Sequence, residues 1–176
     1  VYGIVAIAMT FVIITGGIDL AVGTHVGLAG MIVALLVIKS GMNMWLAMLI
    51  GIVACILVGF FNGVMVYDGK LPPFIATLGS LTIIRAVIML ISNARNITGF
   101  DKVAPEFLQI AKTIWGVPVA DANGVVTTYG VPVMAFAWIV VILVSFFIVK
   151  KTIFGRSIFA VGSNMEAARL SGISLR

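Results

Sequence analysis

The chain has little with which to do covalent chemistry. Its 176 residues hold one cysteine, one histidine and six acids. A single thiol, Cys55, cannot form an internal disulfide, and inside an apolar run it reads as a small packing residue. There is no His-Glu-x-x-His, no Gly-x-Ser-x-Gly and no Cys/His cluster with metal spacing. Gly69-Lys70 is followed by Leu71 where a phosphate-binding loop needs Ser or Thr, and Val64 stands where that loop needs glycine. No catalytic, cofactor or metal set is expected in this chain. Charge is scarce as well. Only 10% of residues are charged, against about 25% in soluble globular domains, which excludes an ordinary water-soluble domain.

Apolar residues are abundant instead: 62% of the chain is hydrophobic and its mean hydropathy is +1.25. Runs near 20 residues recur, the length that crosses a bilayer core. The expected fold is all-α, a polytopic transmembrane helical bundle with broken helices. Spans are expected near 1–18, 20–38, 44–67, 74–92 and 131–149, all parts of one transmembrane domain over 1–176. An external loop would cover 93–130 and a cytoplasmic loop 150–176. Val1 is not a methionine and no charged leader follows it. Both ends read as truncated, so the chain is expected to be a fragment of a larger protein.

As one helix, the first 38 residues would be about 57 Å long, nearly twice the roughly 30 Å hydrocarbon core. The region must break, and Gly16-Gly17-Ile18-Asp19 is the natural place. This leaves 1–38 as two spans or as one span plus a half-helix. Net charge is +5, and five of the eleven basic residues lie in the last 27 positions beside one acid, Glu166. Positive-inside topology explains this distribution better than a nucleic-acid surface does, and puts the tail in the cytoplasm.

Several residues stand out against this background. Ala47, Gly51, Cys55, Gly59 and Gly63 recur every four residues, a stripe of small side chains suited to close helix packing. Asp19, among Gly17 and Gly23, is costly near membrane depth. It either lines a translocation path or gate, or caps a helix start. Arg85 lies well inside its span: it is a further candidate for the translocation path or gate, or it pairs with an acceptor in the bundle or reaches water by snorkelling. His25 reads as an internal hydrogen-bond partner. Phe107, Leu108, Ile110, Ala111, Ile114 and Trp115 are spaced for an apolar face of a short external surface helix. In the tail, Ser163 as N-cap and Glu166 at N3 fit a capping box. Ala167, Ala168, Arg169 and Leu170 favour helix, and Gly172 suits its C-terminal stop.

These blocks resemble the permease subunits of bacterial ABC importers for ribose and related monosaccharides, a group that extends to branched-chain amino-acid permeases. The residues that carry the resemblance are Gly17-Ile18-Asp19-Leu20-Ala21-Val22-Gly23, Asn62-Gly63-Val64, Pro73-Phe74-Ile75-Ala76-Thr77-Leu78-Gly79, Arg85, and Phe154 to Ile173. Ala21 stands where relatives more often have Ser, and Ser163 where Gly is common. The resemblance implies a non-enzymatic transport subunit of the bacterial cytoplasmic membrane, carrying a ribose-like sugar inward. It implies separate ATPase subunits, an external sugar-binding protein and a second permease subunit as partners. The helix with Ser163, Asn164, Glu166, Ala167, Ala168 and Gly172 would couple to the ATPase. An unrelated secondary transporter or channel would share the broken helix and buried charges, but not the capped cytoplasmic Glu-Ala-Ala-x-x-x-Gly segment. The sugar itself is not legible.

Overall fold

In the computed structural model, the structure describes residues 2–99, 105, 114–120 and 126–174. Seven helices and one hairpin are formed among them. In chain order these are α1 (Tyr2–Ile14), α2 (Val22–Ser40), α3 (Met44–Tyr67), α4 (Pro73–Ser92), β1 (Ile114–Ala120), β2 (Val126–Pro132), α5 (Val133–Lys151), α6 (Ile153–Ser163) and α7 (Met165–Leu170). Four of them, α2, α3, α4 and α5, are long and apolar enough to cross a membrane. The 13-residue α1 is about 20 Å long at 1.5 Å per residue.

Short, specific stops punctuate the apolar runs. Gly41, at φ 62°, ends α2, and two residues later Asn43 caps α3, its side-chain oxygen accepting from Trp45 N at 2.9 Å. Pro73 opens α4 at the first helical position, where its missing N–H has no intrahelical partner to lose. The three helices form one unit, α2 packing against both α3 and α4. A second group consists of α1, α5, α6 and α7, in which α5 packs on α1 and α6. Gly3 lets α1 sit directly against the Trp138 indole of α5.

Little side-chain surface is buried within the chain. The apolar core is two small clusters: Ala21, Leu28 and Ile84, and Val37 with Ala47. None of the α5 residues is buried. That is the pattern of helices whose outer faces meet lipid or further helices, where water is not the alternative solvent.

The segment expected to be an external loop differs from expectation. Ile114 and Trp115 lie in a strand, not on a helix face. β1 pairs antiparallel with β2, with Gly116 opposite Gly130 and Ile114 opposite Pro132. Residues 107, 108, 110 and 111 of the expected helix lie outside the described residues. The physical reason is composition: Val117, Val119, Val126, Thr127, Thr128 and Val131 are β-branched and favour the pleated surface. Gly130 is required at its position, because a Cβ there would run into the Trp115 carbonyl. Trp115 then packs its ring on Phe136 in the first turn of α5, with centroids 5.0 Å apart.

Candidate functional site

The break after α1 is built from backbone closure. Gly16 takes φ 78°, a left-handed conformation that side chains with a Cβ resist. Gly16 N then donates to Ile13 O at 2.9 Å and Gly17 N to Val12 O at 3.0 Å. These two bonds are a Schellman closure and satisfy the last carbonyls of α1. Asp19 follows, its Oδ1 accepting from Ala21 N at 2.8 Å. The carboxylate is thus engaged in a local turn just ahead of α2, whose N-cap is Ala21 and has no side-chain cap bond. Gly23 lies in the first turn of α2 with open space where a Cβ would be.

Three of the sequence blocks meet at this end of the α2–α3–α4 unit. Thr77 Oγ1 of α4 lies 3.3 Å from the Ile18 carbonyl in the break and 2.8 Å from its own Pro73 carbonyl. Its single hydroxyl hydrogen serves one acceptor at a time. One turn along α4, Ser80 donates to Asn62 Oδ1 of α3. Both residues are shielded, Asn62 at 6% and Ser80 at 8% exposure. Asn62 Nδ2 is buried with no hydrogen-bond partner among the described residues, as is His25 Nε2. The other imidazole nitrogen, His25 Nδ1, lies 2.8 Å from the Ala21 carbonyl. Beside Ser80 runs a cavity of about 310 Å³, lined by Leu28, Leu57, Phe61, Ile84 and Val87. Thr77, Ser80 and Asn62 were given no individual role by sequence reasoning. A lone amide in the 24-residue apolar span Met44–Tyr67 was the available signal.

The small stripe on α3 divides in two. Gly51 approaches the Ala29 carbonyl and the Val33 side chain of α2, so that an added Cβ would sit 3.3 and 3.2 Å from them. Ala47 is buried, and Cys55 Sγ lies 3.3 Å from the His25 carbonyl. A Cβ at Gly59 or Gly63, expected on the same packing face, would meet nothing within 4 Å among the described residues. The reason lies in helix geometry. A step of four residues overshoots a 3.6-residue turn, so the row winds away from α2 by Gly59.

Arg85 is exposed on the face of α4 opposite the buried Ala76, Thr77, Ser80 and Ile84. It has no hydrogen-bond or ion-pair partner among the described residues.

The tail is more structured than a connector. Thr152 breaks the helix between α5 and α6: its Oγ1 donates to Ile148 O at 2.6 Å and accepts from Gly155 N at 3.2 Å. α6 turns back so closely that a Cβ at Gly155 would meet the Ile148 and Val149 carbonyls. At its far end a Cβ at Gly162 would strike the Ile14 carbonyl of α1. These glycines, quoted in the resemblance without a role, allow α6 to be clamped between two helix ends.

The short helix α7 follows. Its N-cap is Asn164, whose Oδ1 accepts from Ala167 N at 3.0 Å; Ser163 belongs to the end of α6. The expected capping box is not formed. Glu166 turns instead to Arg169, 2.7 Å away, because Asn164 already supplies the cap one residue later than Ser163 would. At the other end Gly172 takes φ 80°, Gly172 N donates to Arg169 O at 3.0 Å and Ile173 N to Ala168 O at 3.1 Å. This is a second Schellman closure. The two alanines face opposite ways. Ala168 is 4% exposed and points into the chain, whereas Ala167 is exposed. Met165 at 55% and Leu170 at 78% exposure present apolar surface beside it.

A bundle of apolar spans, with a glycine-closed break and a polar seam, defines a multi-pass integral membrane protein. The chain belongs to the family described as branched-chain amino acid transport system / permease component, which it matches over residues 1–176. It is similar to the ribose import permease protein RbsC of Bacillus subtilis (strain 168), 33% identical over 98% of this chain and 49% of that protein. It is also similar to the inner membrane ABC transporter permease protein YjfF of Escherichia coli (strain K12), at 31% over 99% of this chain and 49% of the relative. The fructose import permease protein FrcC of Rhizobium meliloti is 35% identical over 99% of this chain and 46% of its own length. The chain thus spans about half the length of the curated relatives it matches. No solved structure matches it.

Proposed function

We propose that this chain is part of the permease subunit of an ATP-driven importer in the bacterial cytoplasmic membrane. It would move a ribose-like monosaccharide inward from an external binding protein. The observation that carries this reading is α7. It is a short surface helix, closed at both ends and held by α6, and it carries Glu166-Ala167-Ala168 and Gly172. A transport bundle alone has no need of a rigid, exposed six-residue element on its basic side; a subunit driven from outside the membrane does. The basic residues Lys150, Lys151, Arg156 and Arg169 support a cytoplasmic position for α7. Relatives named as ribose and fructose import permeases support a monosaccharide as the cargo.

The mechanism follows from rigid elements. Two permease subunits would present two α7 helices to two ATPase subunits. Closure of those subunits moves α7. Because α6 is wedged against the carbonyl of Ile14 and those of Ile148 and Val149, displacement passes to the ends of α1 and α5. Helices packed this way switch between discrete arrangements rather than deform continuously. The break at Gly16–Asp19, next to Ile14, is where such a switch would be absorbed.

Co-purification tests this reading. The intact permease, tagged and extracted in mild detergent, should retain a nucleotide-binding subunit, and the complex should hydrolyse ATP faster with sugar-loaded binding protein. A permease that supports solute uptake without any nucleotide-binding partner would contradict it.

A further inference from the structure

We propose that Thr77 is a positioning residue of the transport cycle: it latches the break after α1 to α4, so that motion arriving from α7 is handed on to α4. This rests on the transport reading above. The observation is a hydroxyl on α4 facing a backbone carbonyl 59 positions earlier in the chain, in the break itself. Thr77 is 5% exposed. The chain already encloses it, so further helices packed outside leave its surroundings as they are.

Two contacts flank the break. Among the described residues the main helix contacts lie within α2, α3 and α4 or within α1, α5, α6 and α7, and the break joins these two groups covalently. On its α1 side, Gly162 at the end of α6 abuts the Ile14 carbonyl, and Asn164, two residues on, caps α7. On its far side, Thr77 faces the Ile18 carbonyl. Between Ile14 and Ile18 lie Gly16, at φ 78°, and Gly17, the pair at which the chain bends. A displacement of α7 therefore enters at Ile14 and leaves at Ile18.

Thr77 has a choice of acceptors there. Its Oγ1 lies 2.8 Å from the Pro73 carbonyl, 3.3 Å from that of Ile18 and 3.4 Å from that of Phe74. O–H···O bonds usually span about 2.5–3.0 Å, so in this arrangement the hydrogen is on Pro73 and the latch is open. Pro73 does not depend on it, because in a helix that carbonyl accepts from the N–H four residues on, which is Thr77's own. Ile18 lies outside any helix, and off-helix backbone in a membrane must be satisfied by neighbouring protein or by water. A movement of about 0.5 Å, the difference between the two distances, brings the Ile18 carbonyl into range and transfers the hydrogen with no bond lost. Two arrangements of similar cost are what a two-state element needs. One turn along α4, Ser80 holds Asn62 of α3 beside the cavity, so α4 carries the α3 contact with it.

The test is the amount of sugar moved per ATP hydrolysed. The full-length permease is reconstituted in vesicles with its ATPase subunits and sugar-loaded binding protein, with D-ribose as the probe and D-fructose as the alternative. Uptake and ATP hydrolysis are measured on the same sample. Thr77→Val keeps the shape of the side chain and removes the hydroxyl. It should lower uptake per ATP about threefold or more, the scale of one interhelical hydrogen bond, and Thr77→Ser should restore most of the loss. A variant that merely folds less well loses uptake and hydrolysis in proportion and keeps the ratio. An unchanged ratio in Thr77→Val, with or without a fall in both activities, overturns the proposal, and so does a Thr77→Ser importer as impaired as Thr77→Val. A wild-type importer whose ATPase is stimulated with neither sugar would instead overturn the transport reading, and this inference with it.

Discussion

Removing the Ser80 hydroxyl should hurt more than removing the amide it serves. Ser80 and Asn62 are both buried, and Ser80 donates to Asn62 Oδ1 across the α3–α4 contact. Asn62 Nδ2 already lacks a partner. Ser80→Ala would leave the whole amide unsatisfied. In soluble proteins an orphaned buried polar group costs about 1–3 kcal/mol. Interhelical bonds in membranes measure less, about 0.6 kcal/mol on average and up to roughly 1.7, because the unfolded chain in lipid finds other partners. About 1 kcal/mol is therefore expected, near a fivefold change in the unfolding equilibrium. Asn62→Leu should cost less than about 0.5 kcal/mol. It removes the unsatisfied amide at similar volume, and Ser80 can fall back on a carbonyl one turn earlier, as Thr82 and Ser157 do. The double variant should then match Asn62→Leu alone. The assay is a double-mutant cycle on reversible unfolding of the full-length permease in mixed micelles. The reasoning fails if Asn62→Leu proves costlier than Ser80→Ala, which would mean that the amide has a second partner, such as water or solute, that stabilises the fold.

Two further outcomes are expected. Gly51→Leu should disrupt the α2–α3 contact and lower the apparent Tm of the purified permease by several degrees. Gly59→Leu should not do so through α2, because a Cβ there would meet no described residue within 4 Å; equal losses would show that Gly59 packs on helices beyond the described residues. Cysteines at Asn123 and Ser174, in the Cys55→Ala background, should label from opposite sides of the membrane with an impermeant reagent. Labelling from one side would remove the orientation on which the cytoplasmic placement of α7 rests.

The membrane fold was legible because lipid leaves the chain few choices. Every backbone group must be paired internally, so long apolar runs become helices, and α2, α3, α4 and α5 lie close to the spans read from hydropathy. The break was legible for the same reason: 38 residues are too long for one crossing, and Gly16-Gly17 is where a left-handed residue costs least. What was not legible depends on partners far apart in sequence. That Thr77 would meet Ile18, and Ser80 Asn62, follows from helix order and rotation, neither of which the local pattern contains. That only the first part of the stripe Ala47–Gly63 would face α2 was not legible, because a four-residue repeat looks straight on paper and winds on a helix. The hairpin was masked by an accidental helical spacing of apolar residues, although Asn123-Gly124 between two β-branched runs was a turn signal of the kind that marks hairpins. In the tail, Ser163 and Asn164 are both good caps, and only the length of α6 decided between them.

On the proposed function α7 transmits force from an ATPase subunit, and its two alanines separate that role from mere folding. Ala167 is exposed and Ala168 is buried against the chain, so a bulky residue at Ala168 would disturb α7 itself, whereas one at Ala167 would stand only in the way of a partner. The direct measurement is ATP hydrolysis by the reconstituted importer carrying Ala167→Trp in the permease. Insertion and binding-protein docking should be normal, and the stimulation of ATPase activity by sugar-loaded binding protein should be lost. Full stimulation in that variant would contradict the claim and place the contact surface elsewhere.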